Sequence, residues 1–304
     1  MRLLVTGATG QVGWELARSL MPLGDAIAVD RMRCDFSRPE SIAPVIRELR
    51  PDVIVNAAAY TAVDKAEQEE SLATIVNGMS VGVLAEEAKK AGALFIHYST
   101  DHIFDGAKSE PYVEDDAPSP VNAYGRSKRA GEVAIRTVDC AHIILRTTWV
   151  YAARGQNFVK TILRFARERK ELNIVADQFG APTSARAIAD ATAHIVRQAQ
   201  QERFAGKFTS GTYHFTAAST TTWHGFAEAI VQSAVGYGLL DPNRLPRINP
   251  VSTSAYPLPA ARPANSRLDC QRLQNRFGIA LSKWRQPLEC VLQEVAAAGP
   301  GVPP

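Results

Sequence analysis

The first thirteen residues carry the feature that most restricts how this chain can fold. The apolar run LLVT at residues 3–6 leads into the glycine-rich segment GATGQVG at residues 7–13, and a helical pattern follows. Strand, glycine turn and helix in this order are typical of a dinucleotide-binding unit. Gly7 permits the tight turn, Gly10 lets a pyrophosphate approach the backbone, and Gly13 lets helix and strand pack closely. The free N–H groups at the start of the helix then suit a phosphate.

Buried strand patterns recur along the first half of the chain, with helical patterns between them. They lie at residues 26–29, 51–56, 94–98 and 142–146, and the longest helical pattern spans residues 72–91. Strands that alternate with helices at this spacing predict an α/β fold, a Rossmann-type doubly wound parallel sheet with right-handed crossovers. In such sheets, ligands bind outside the carboxyl ends of the strands. We therefore expect the functional site at that edge.

The composition changes beyond about residue 150. Pro, Gly, Ser and Thr become frequent and strand patterns become short, while helical patterns remain at residues 184–200, 222–237 and 287–298. We interpret residues 1–150 as a dinucleotide-binding Rossmann domain. Residues 151–304 are interpreted mainly as a smaller, irregular α/β substrate-binding region, interleaved with the first domain through the helix at 184–200. The end of the chain, residues 299–304, is expected to fray.

Charge and cysteine content argue against several classes of protein. The 304-residue chain carries 34 basic and 31 acidic side chains, a formal net charge of +3, without a basic run that would indicate nucleic-acid binding. No apolar run approaches membrane-spanning length.

The four cysteines (Cys34, Cys140, Cys270 and Cys290) lack the spacing of a disulfide framework, and the N-terminus enters a strand too soon for a signal peptide. We expect a cytoplasmic protein that binds neither nucleic acid nor membrane and has no metal site, since its six histidines show no ligand pairing.

Tyr124 and Lys128 stand four residues apart in the segment YGRSK, where a helix is expected to begin. That spacing places the phenol and the ammonium on one helix face. A phenol titrates near ~10 in a model peptide, and a nearby cation favours the phenolate and lowers that pKa. The pair can act as an acid/base device, or it can be a solvated helix edge, which the same spacing also produces.

The residues after the second strand bear on the choice of cofactor. Asp30 is placed to accept the hydroxyls of an adenosine ribose, whereas Arg31 suits a 2′-phosphate. The two residues point to different cofactors, so the sequence leaves NADH and NADPH open. Phe36, in a loop with Asp35, either flanks an adenine or anchors the loop. Three alanines at residues 57–59 follow the third strand and leave room for a flat ligand against the backbone.

Four motifs together resemble a known family. GATGQVG at residues 7–13, NAAA at 56–59, STD at 99–101 and YGRSK at 124–128 occur in the order and at the spacing of the extended short-chain dehydrogenase/reductases. Later stretches resemble one reductase group within that superfamily, at residues 146–151, 177–183 and 262–266. The resemblance therefore runs nearly the whole length of the chain.

The resemblance implies that NADPH or NADH delivers a hydride to the C4 ketone of a dTDP-sugar substrate. Tyr124 would protonate the forming alkoxide, Lys128 would lower the pKa of Tyr124 and hold the nicotinamide ribose, and Thr100 would hydrogen-bond the carbonyl oxygen. The residues expected at the cofactor are Gly7, Gly10, Gln11, Val12, Gly13, Asp30, Arg31, Asp35, Phe36, Ala58, Ala59, Tyr60, Tyr98, Tyr124 and Lys128. Those expected at the sugar are Thr61, Val63, Thr100, Asp101 and Trp149, whose indole either packs on sugar C–H groups or belongs to the core.

Other activities of the superfamily fit less well. Dehydratases usually carry an Asp-Glu pair after the threonine, whereas here His102 follows Asp101, and epimerases usually have small residues in place of Thr-Asp. Two rivals remain: an enzyme acting on another nucleotide-linked ketosugar, and a non-catalytic regulatory subunit that binds the cofactor. The presence of Thr100, Tyr124 and Lys128 together favours the enzyme. Arg262 and Arg267 either hold the substrate diphosphate or form salt links between domains.

The resemblance also bears on assembly. Some members of the family dimerise through a magnesium ion held by glutamates. Glu15 and Glu294 remain here, but Arg186 stands at one matching position. Because an arginine repels the ion, we expect a monomer or a weak homodimer, and no metal-mediated dimer.

Overall fold

A six-stranded parallel sheet forms the centre of the computed structural model, which describes residues 1–299. The strands of the chain are β1 (Arg2–Thr6), β2 (Asp25–Val29), β3 (Val53–Asn56), β4 (Leu94–Thr100), β5 (His142–Thr147), β6 (Val150–Tyr151), β7 (Glu171–Val175), β8 (Phe179–Gly180), β9 (Thr183–Ser184), β10 (Gly211–His214), β11 (Thr221–Thr222) and β12 (Arg247–Val251). The sheet has the strand order β10-β5-β4-β3-β1-β2, and every pairing in it is parallel. The predicted doubly wound parallel sheet is confirmed.

Helices cover both faces of this sheet and build a second layer beside it. They are α1 (Gln11–Ser19), α2 (Ile42–Leu49), α3 (Val63–Ala66), α4 (Glu70–Thr74), α5 (Ser80–Ala91), α6 (Ala123–Val138), α7 (Phe158–Glu168), α8 (Ala185–Phe204), α9 (Trp223–Gly236), α10 (Gln271–Phe277) and α11 (Arg285–Ala298). The fraying predicted for residues 299–304 lies, apart from residue 299, outside the described residues.

Alternation along the strands divides the core between the two faces of the sheet. Leu3 and Val5 join one hydrophobic cluster with residues of α1, α8 and α10, whereas Leu4 joins another with α2 and α5. Leu4 pairs with Ile27 on one side and with Ile54 on the other. Apolar residues on both faces of the inner strands are what a parallel sheet covered by helices requires.

The helix predicted over residues 72–91 is interrupted in the structure. A wide π-helical turn at Ile75–Met79 separates α4 from α5. This turn lies directly against α6, because a Cβ on Gly131 would come within 2.2 Å of the Asn77 carbonyl oxygen. Such turns occur often at functional sites, and the side chain of Asn77 is used there, as described below.

The second half of the chain contributes to two cores. Strand β10 adds the sixth strand of the sheet beside β5, an element that the Pro- and Gly-rich sequence around it did not predict. Helix α8 packs on the six-stranded sheet, since Ile188 and Ile195 share a cluster with Leu3. Helices α7, α9 and α11 form a separate cluster around Phe226 and Leu288. The proposed domain boundary near residue 150 stays a prediction.

Within residues 1–299, no helix has the length and apolar character needed to cross a membrane.

Candidate active site

The glycine turn forms a cradle in which side chains have no room. Gly7 has φ +75°, and a Cβ there would lie 2.7 Å from the Ala58 nitrogen. A Cβ on Gly13 would lie 2.0 Å from the Gly7 carbonyl oxygen. Gly10 is the N-cap of α1 and supplies no side chain to the N–H groups of the first turn. The backbone donors of α1 are therefore left for a ligand, and the cradle fits the diphosphate of a dinucleotide.

Two further residues of the motif are held by their side chains. Gln11 accepts a hydrogen bond at Oε1 from Asn157 Nδ2 at 2.9 Å, which ties the start of α1 to the loop before α7. Val12 packs against the cluster beneath the sheet. The predicted positions Gly7, Gly10 and residues 11–13 thus lie together at the carboxyl edge of β1.

The loop after β2 is organised by its own polar contacts. Asp30 Oδ1 accepts from the backbone N–H groups of Met32 at 3.0 Å and Arg33 at 3.3 Å. Arg31 lies 3.3 Å from the carboxylate of Asp35, whose pKa is lowered chiefly by the hydroxyl of Ser37. These contacts are compatible with either nicotinamide cofactor.

Phe36 is only 5% exposed and belongs to the core beneath α2 and α5. Its backbone carbonyl also accepts a hydrogen bond from the Ser80 hydroxyl at 2.6 Å. Phe36 therefore anchors this loop, which is one of the two roles that the sequence left open. Flanking an adenine remains a prediction.

Asn77 connects the small-residue loop after β3 to helix α6. Its Oδ1 accepts from the Tyr60 N–H at 2.9 Å, and its Nδ2 donates to the Tyr60 carbonyl at 3.0 Å and to the Ser127 hydroxyl at 2.9 Å. Tyr60 also donates from its hydroxyl to Glu69 at 2.7 Å, and burial together with that carboxylate raises the pKa of Tyr60 to about 12. Ala58 and Ala59 lie half-buried between these anchors.

Asn122 fixes the start of α6. Its Oδ1 accepts from the Gly125 N–H at 2.8 Å, as an N-cap does. Its Nδ2 contacts His102 Nδ1 at 2.9 Å and donates to the Ala261 carbonyl at 2.7 Å. One side chain thus joins the first turn of α6, the end of β4 and the segment around residue 261.

Tyr124, in the first turn of α6, packs against the end of β4, beside Thr100 and His102. Its ring meets the His102 imidazole edge-on, with centroids 5.4 Å apart. Burial raises the pKa of Tyr124 to about 12, with Thr100 lowering it and Asp101 raising it further. The phenol therefore keeps its proton at neutral pH, which is the form that a proton donor needs.

The predicted lowering of the Tyr124 pKa by Lys128 stays a prediction, because burial, Thr100 and Asp101 are the groups that act on that pKa in this arrangement. The Lys128 amine donates to the Tyr98 carbonyl at 2.7 Å and lies 3.2 Å from His97 Nε2. Its contacts therefore run toward β4, and burial dominates the pKa of the phenol. Tyr98 itself enters the site through that carbonyl, because its side chain is buried and its hydroxyl contacts Thr192 at 2.7 Å.

The residues predicted for the sugar border the same edge of the sheet. Thr61 is exposed and Val63, at the start of α3, is half-buried. Asp101 is 3% exposed and accepts at Oδ1 from the Thr100 hydroxyl at 3.0 Å. Its Oδ2 has no hydrogen-bond partner among residues 1–299. A buried carboxylate oxygen with a free lone pair can accept from a hydroxyl of a ligand.

Trp149 adopts φ +48°, a left-handed conformation that is unusual for a bulky residue. Its indole stacks on Trp223, with centroids 3.7 Å apart and an interplanar angle of 15°. A Cβ on Gly180 would lie 2.6 Å from the same indole. The face that Trp223 covers is closed to a sugar, so any contact with substrate uses the rest of the ring.

Both arginines considered for the diphosphate are engaged within the chain. Arg262 pairs with Asp64 at 2.8 Å, and Arg267 donates from Nε to Asn265 Oδ1 at 2.8 Å. Their role toward a diphosphate stays a prediction. Among the residues that the sequence analysis missed, Asn122 carried a signal, an N-cap residue directly before a helix, whereas Asn77 and Trp223 carried none.

The sequence is similar to known proteins over nearly the full length of the chain. Residues 1–297 match the family described as RmlD substrate binding domain. The dTDP-4-dehydrorhamnose reductase of Burkholderia thailandensis is 57% identical over 285 residues, covering 94% of this chain and 96% of that protein. That of Escherichia coli K12 is 47% identical over 299 residues, covering 97% and 98%.

Solved structures give the same result. The dTDP-4-dehydrorhamnose reductase of Bacillus anthracis, in complex with NADP, has a TM-score of 0.85 at 34% identity and covers 96% of this chain and 99% of its own. The UDP-glucose 4-epimerase of Thermus thermophilus, at 18% identity, shares the fold with a TM-score of 0.78 over 98% of this chain and all of its own. The full-length matches and the site geometry lead to one conclusion: the chain belongs to the dTDP-4-dehydrorhamnose reductase family.

Proposed function

We propose that this protein reduces the C4 ketone of dTDP-4-dehydro-L-rhamnose to dTDP-L-rhamnose with NADPH or NADH, the last step of dTDP-rhamnose biosynthesis for bacterial cell-surface polysaccharide. The observation that carries this proposal is the convergence of the glycine cradle, Thr100, Tyr124 and Lys128 on one edge of the sheet in a chain 57% identical to such a reductase. A regulatory subunit would not need a buried proton donor at that edge.

The chemistry divides between the cofactor and the protein. The nicotinamide supplies the hydride when it is bound. Tyr124, held as a phenol by burial, protonates the oxygen that becomes an alkoxide. The hydroxyl of Thr100 hydrogen-bonds the same oxygen, and Asp101 Oδ2 accepts from a sugar hydroxyl. Lys128 binds the nicotinamide ribose and, as a cation, stabilises the phenolate left by proton transfer.

The cradle of Gly7, Gly10 and Gly13 holds the diphosphate of the cofactor, and residues 30–36 lie at its adenosine end. Asp30 and Arg31 leave the choice between NADH and NADPH open. We infer a cytoplasmic enzyme that works as a monomer or weak homodimer. We expect no metal-mediated dimer, because Arg186 contacts both Glu15 and Glu294.

The direct test is oxidation of NADPH and of NADH in the presence of dTDP-4-dehydro-L-rhamnose, beside its UDP and GDP counterparts. Wild type should turn over the dTDP-sugar, and Tyr124→Phe should lose at least about 100-fold in kcat, the usual range for a positioned acid. Tyr112→Phe is the matched control, since that hydroxyl donates to Asp105 at 2.7 Å, away from the catalytic groups. Absence of turnover with every sugar would refute the enzyme, and full activity of Tyr124→Phe would refute the proton donor.

A further inference from the structure

A buried run of hydrogen bonds leads from strand β1 to Lys128. Thr6 Oγ1 donates to Asn56 Oδ1 at 2.7 Å, and Asn56 Nδ2 lies 3.0 Å from His97 Nδ1. On the far side of the imidazole, His97 Nε2 lies 3.2 Å from Lys128 Nζ. None of the four residues is more than 2% exposed. Because bulk water does not reach them, their neighbours decide where the protons lie.

The orientation of Asn56 is fixed by the backbone. The Ala58 N–H lies 3.0 Å from Asn56 Oδ1, and a backbone N–H can only donate, so this atom is the amide oxygen. The other atom is then the amide nitrogen, which can only donate. It follows that His97 Nδ1 carries a lone pair and that the ring proton is on Nε2. Burial and the charge of Lys128 hold the pKa of His97 well below its usual value, so the ring is neutral.

The Nε2–H of His97 therefore points at the Lys128 nitrogen. An ammonium has three donors and no acceptor, whereas a neutral amine has a lone pair. The bond from Lys128 to the Tyr98 carbonyl at 2.7 Å can form in either state. The contact with His97 is a hydrogen bond only when Lys128 is the neutral amine.

A second buried histidine shows the opposite arrangement. His214 Nδ1 lies 3.0 Å from the Tyr112 carbonyl, which can only accept, so Nδ1 carries the proton. The lone pair of Nε2 then faces Arg146 Nη1 at 3.4 Å. His214 thus presents an acceptor to its cation, whereas His97 presents a donor to Lys128.

We propose that His97 is a positioning residue for the reaction. Its Nε2–H donates a hydrogen bond to the neutral amine of Lys128, and this contact places the loss of the Lys128 proton in the pH range in which the enzyme works. The kinetic consequence rests on the proposed function, but the proton arrangement does not.

The other groups around Lys128 do not substitute for this contact. Glu132, one turn further along α6, favours the ammonium, but its carboxylate is held by Arg146 from β5 and by Arg136. Strand β4 contributes His97 and the Tyr98 carbonyl, and Tyr124 lies one turn earlier on α6. Burial lowers the pKa of Lys128 to about 8 against the effect of Glu132. The cation is present below that pH and is lost above it, so a rate that needs the cation falls as the pH rises through about 8.

The proton arrangement can be measured without any turnover. In wild-type protein with ¹⁵N-labelled histidine, the ring shifts should show His97 protonated at Nε2 and His214 protonated at Nδ1. The ¹³Cε resonance of Lys128 should titrate near pH 8. A proton on Nδ1 of His97, or an ammonium that persists above pH 10, would overturn the proposal even if the enzyme is active.

Two variants test the consequence. In Asn56→Asp, the second carboxylate oxygen accepts from His97 Nδ1–H, which turns the Nε2 lone pair toward the ammonium. In His97→Gln, the amide oxygen can face the ammonium directly. In both variants, the fall of kcat/KM at alkaline pH should occur about one pH unit higher than in wild type. The ratio of activity at pH 9 to activity at pH 7 should then be about fivefold larger than in wild type. His214→Gln is the matched control and should leave the limb in place.

A limb that stays in place in both folded variants, or that moves equally in His214→Gln, would refute the role of His97. Should the variants fail to fold, the resonances of the wild-type protein decide. If wild type shows no turnover, the proposed function fails, and the same resonances still decide the proton arrangement.

Discussion

A Cβ placed on Gly125 would lie 2.1 Å from the carbonyl oxygen of His102, so the first turn of α6 rests directly on the backbone that follows β4. This contact sets the distance between Tyr124 and Thr100, because Tyr124 directly precedes Gly125 in α6 and Thr100 ends β4 two residues before His102. The glycine between Tyr124 and Lys128 is therefore required by packing.

Gly125→Ala should consequently lower both stability and activity. Relief of the overlap requires α6 to move away from β4, and overpacking of this kind costs about 1–3 kcal/mol of unfolding free energy. A displaced Tyr124 should reduce kcat more than it raises KM for the cofactor. Urea unfolding and steady-state kinetics measure the two effects.

Gly236→Ala provides the control, since a Cβ at that helical glycine meets nothing within 4 Å. It should be neutral or slightly stabilising, because alanine is the better helix former by up to about 1 kcal/mol. Equal stability and activity of Gly125→Ala and wild type would show that the contact is not as tight as described.

A second prediction concerns the stacked indoles. Trp223 covers one face of Trp149, which stays in its left-handed backbone conformation only while its surroundings hold it there. Trp223→Ala should release Trp149 and raise KM for the dTDP-sugar several-fold, with KM for the cofactor nearly unchanged. Loss of the near-ultraviolet circular dichroism of the indole pair would report the structural change. Equal changes in both KM values would instead indicate general unfolding.

The fold was predictable because its signals are local. The strand, the glycine turn and the helix at residues 2–19 follow one another in sequence, and buried strands alternate with helices. Strand β10 was missed because its four residues lie in a segment rich in turn formers, and their pairing with β5 is a tertiary effect. The π-helical turn at Ile75–Met79 was missed for a similar reason, since it depends on how closely α6 approaches.

The residues proposed for catalysis were identified from their motifs, but the contacts around them could not be predicted in the same way. The sequence suggested a lysine that lowers the pKa of Tyr124, on the ground that the two share a helix face. Which way a lysine amine points depends on the carbonyl of Tyr98 and on His97, and both come from a strand about thirty residues away. Spacing along one helix carries no information about such partners.

Acid should destabilise the protein in a specific pH window. Burial and the charge of Arg146 lower the pKa of His214 to about 3, whereas an unfolded histidine titrates near ~6.5. The buried ring thus contributes stability above about pH 6.5 that is lost as the pH falls toward 3. Between pH 6.5 and 5 the loss should be about 2 kcal/mol, from about 1.4 kcal/mol per pH unit. Urea unfolding at several pH values should show a shallower pH dependence in His214→Gln, and identical slopes would contradict the assignment.

The last prediction concerns assembly and Arg186. Its guanidinium bridges the carboxylates of Glu15, at 3.2 Å, and Glu294, and so joins α1, α8 and α11 within one chain. Light scattering should give the same mass with magnesium and with a chelator. Arg186→Gln should lower the free energy of unfolding by about 1–3 kcal/mol, because Glu15 is nearly buried and loses a charged partner. Arg169→Gln is the control: this arginine stacks on Phe165, and its replacement should change the free energy of unfolding little. Arg186→Glu would bring three carboxylates together, the type of oxygen ligand that divalent cations prefer, and magnesium should then raise its unfolding temperature. A magnesium-dependent mass for wild type would refute this account of the arginine.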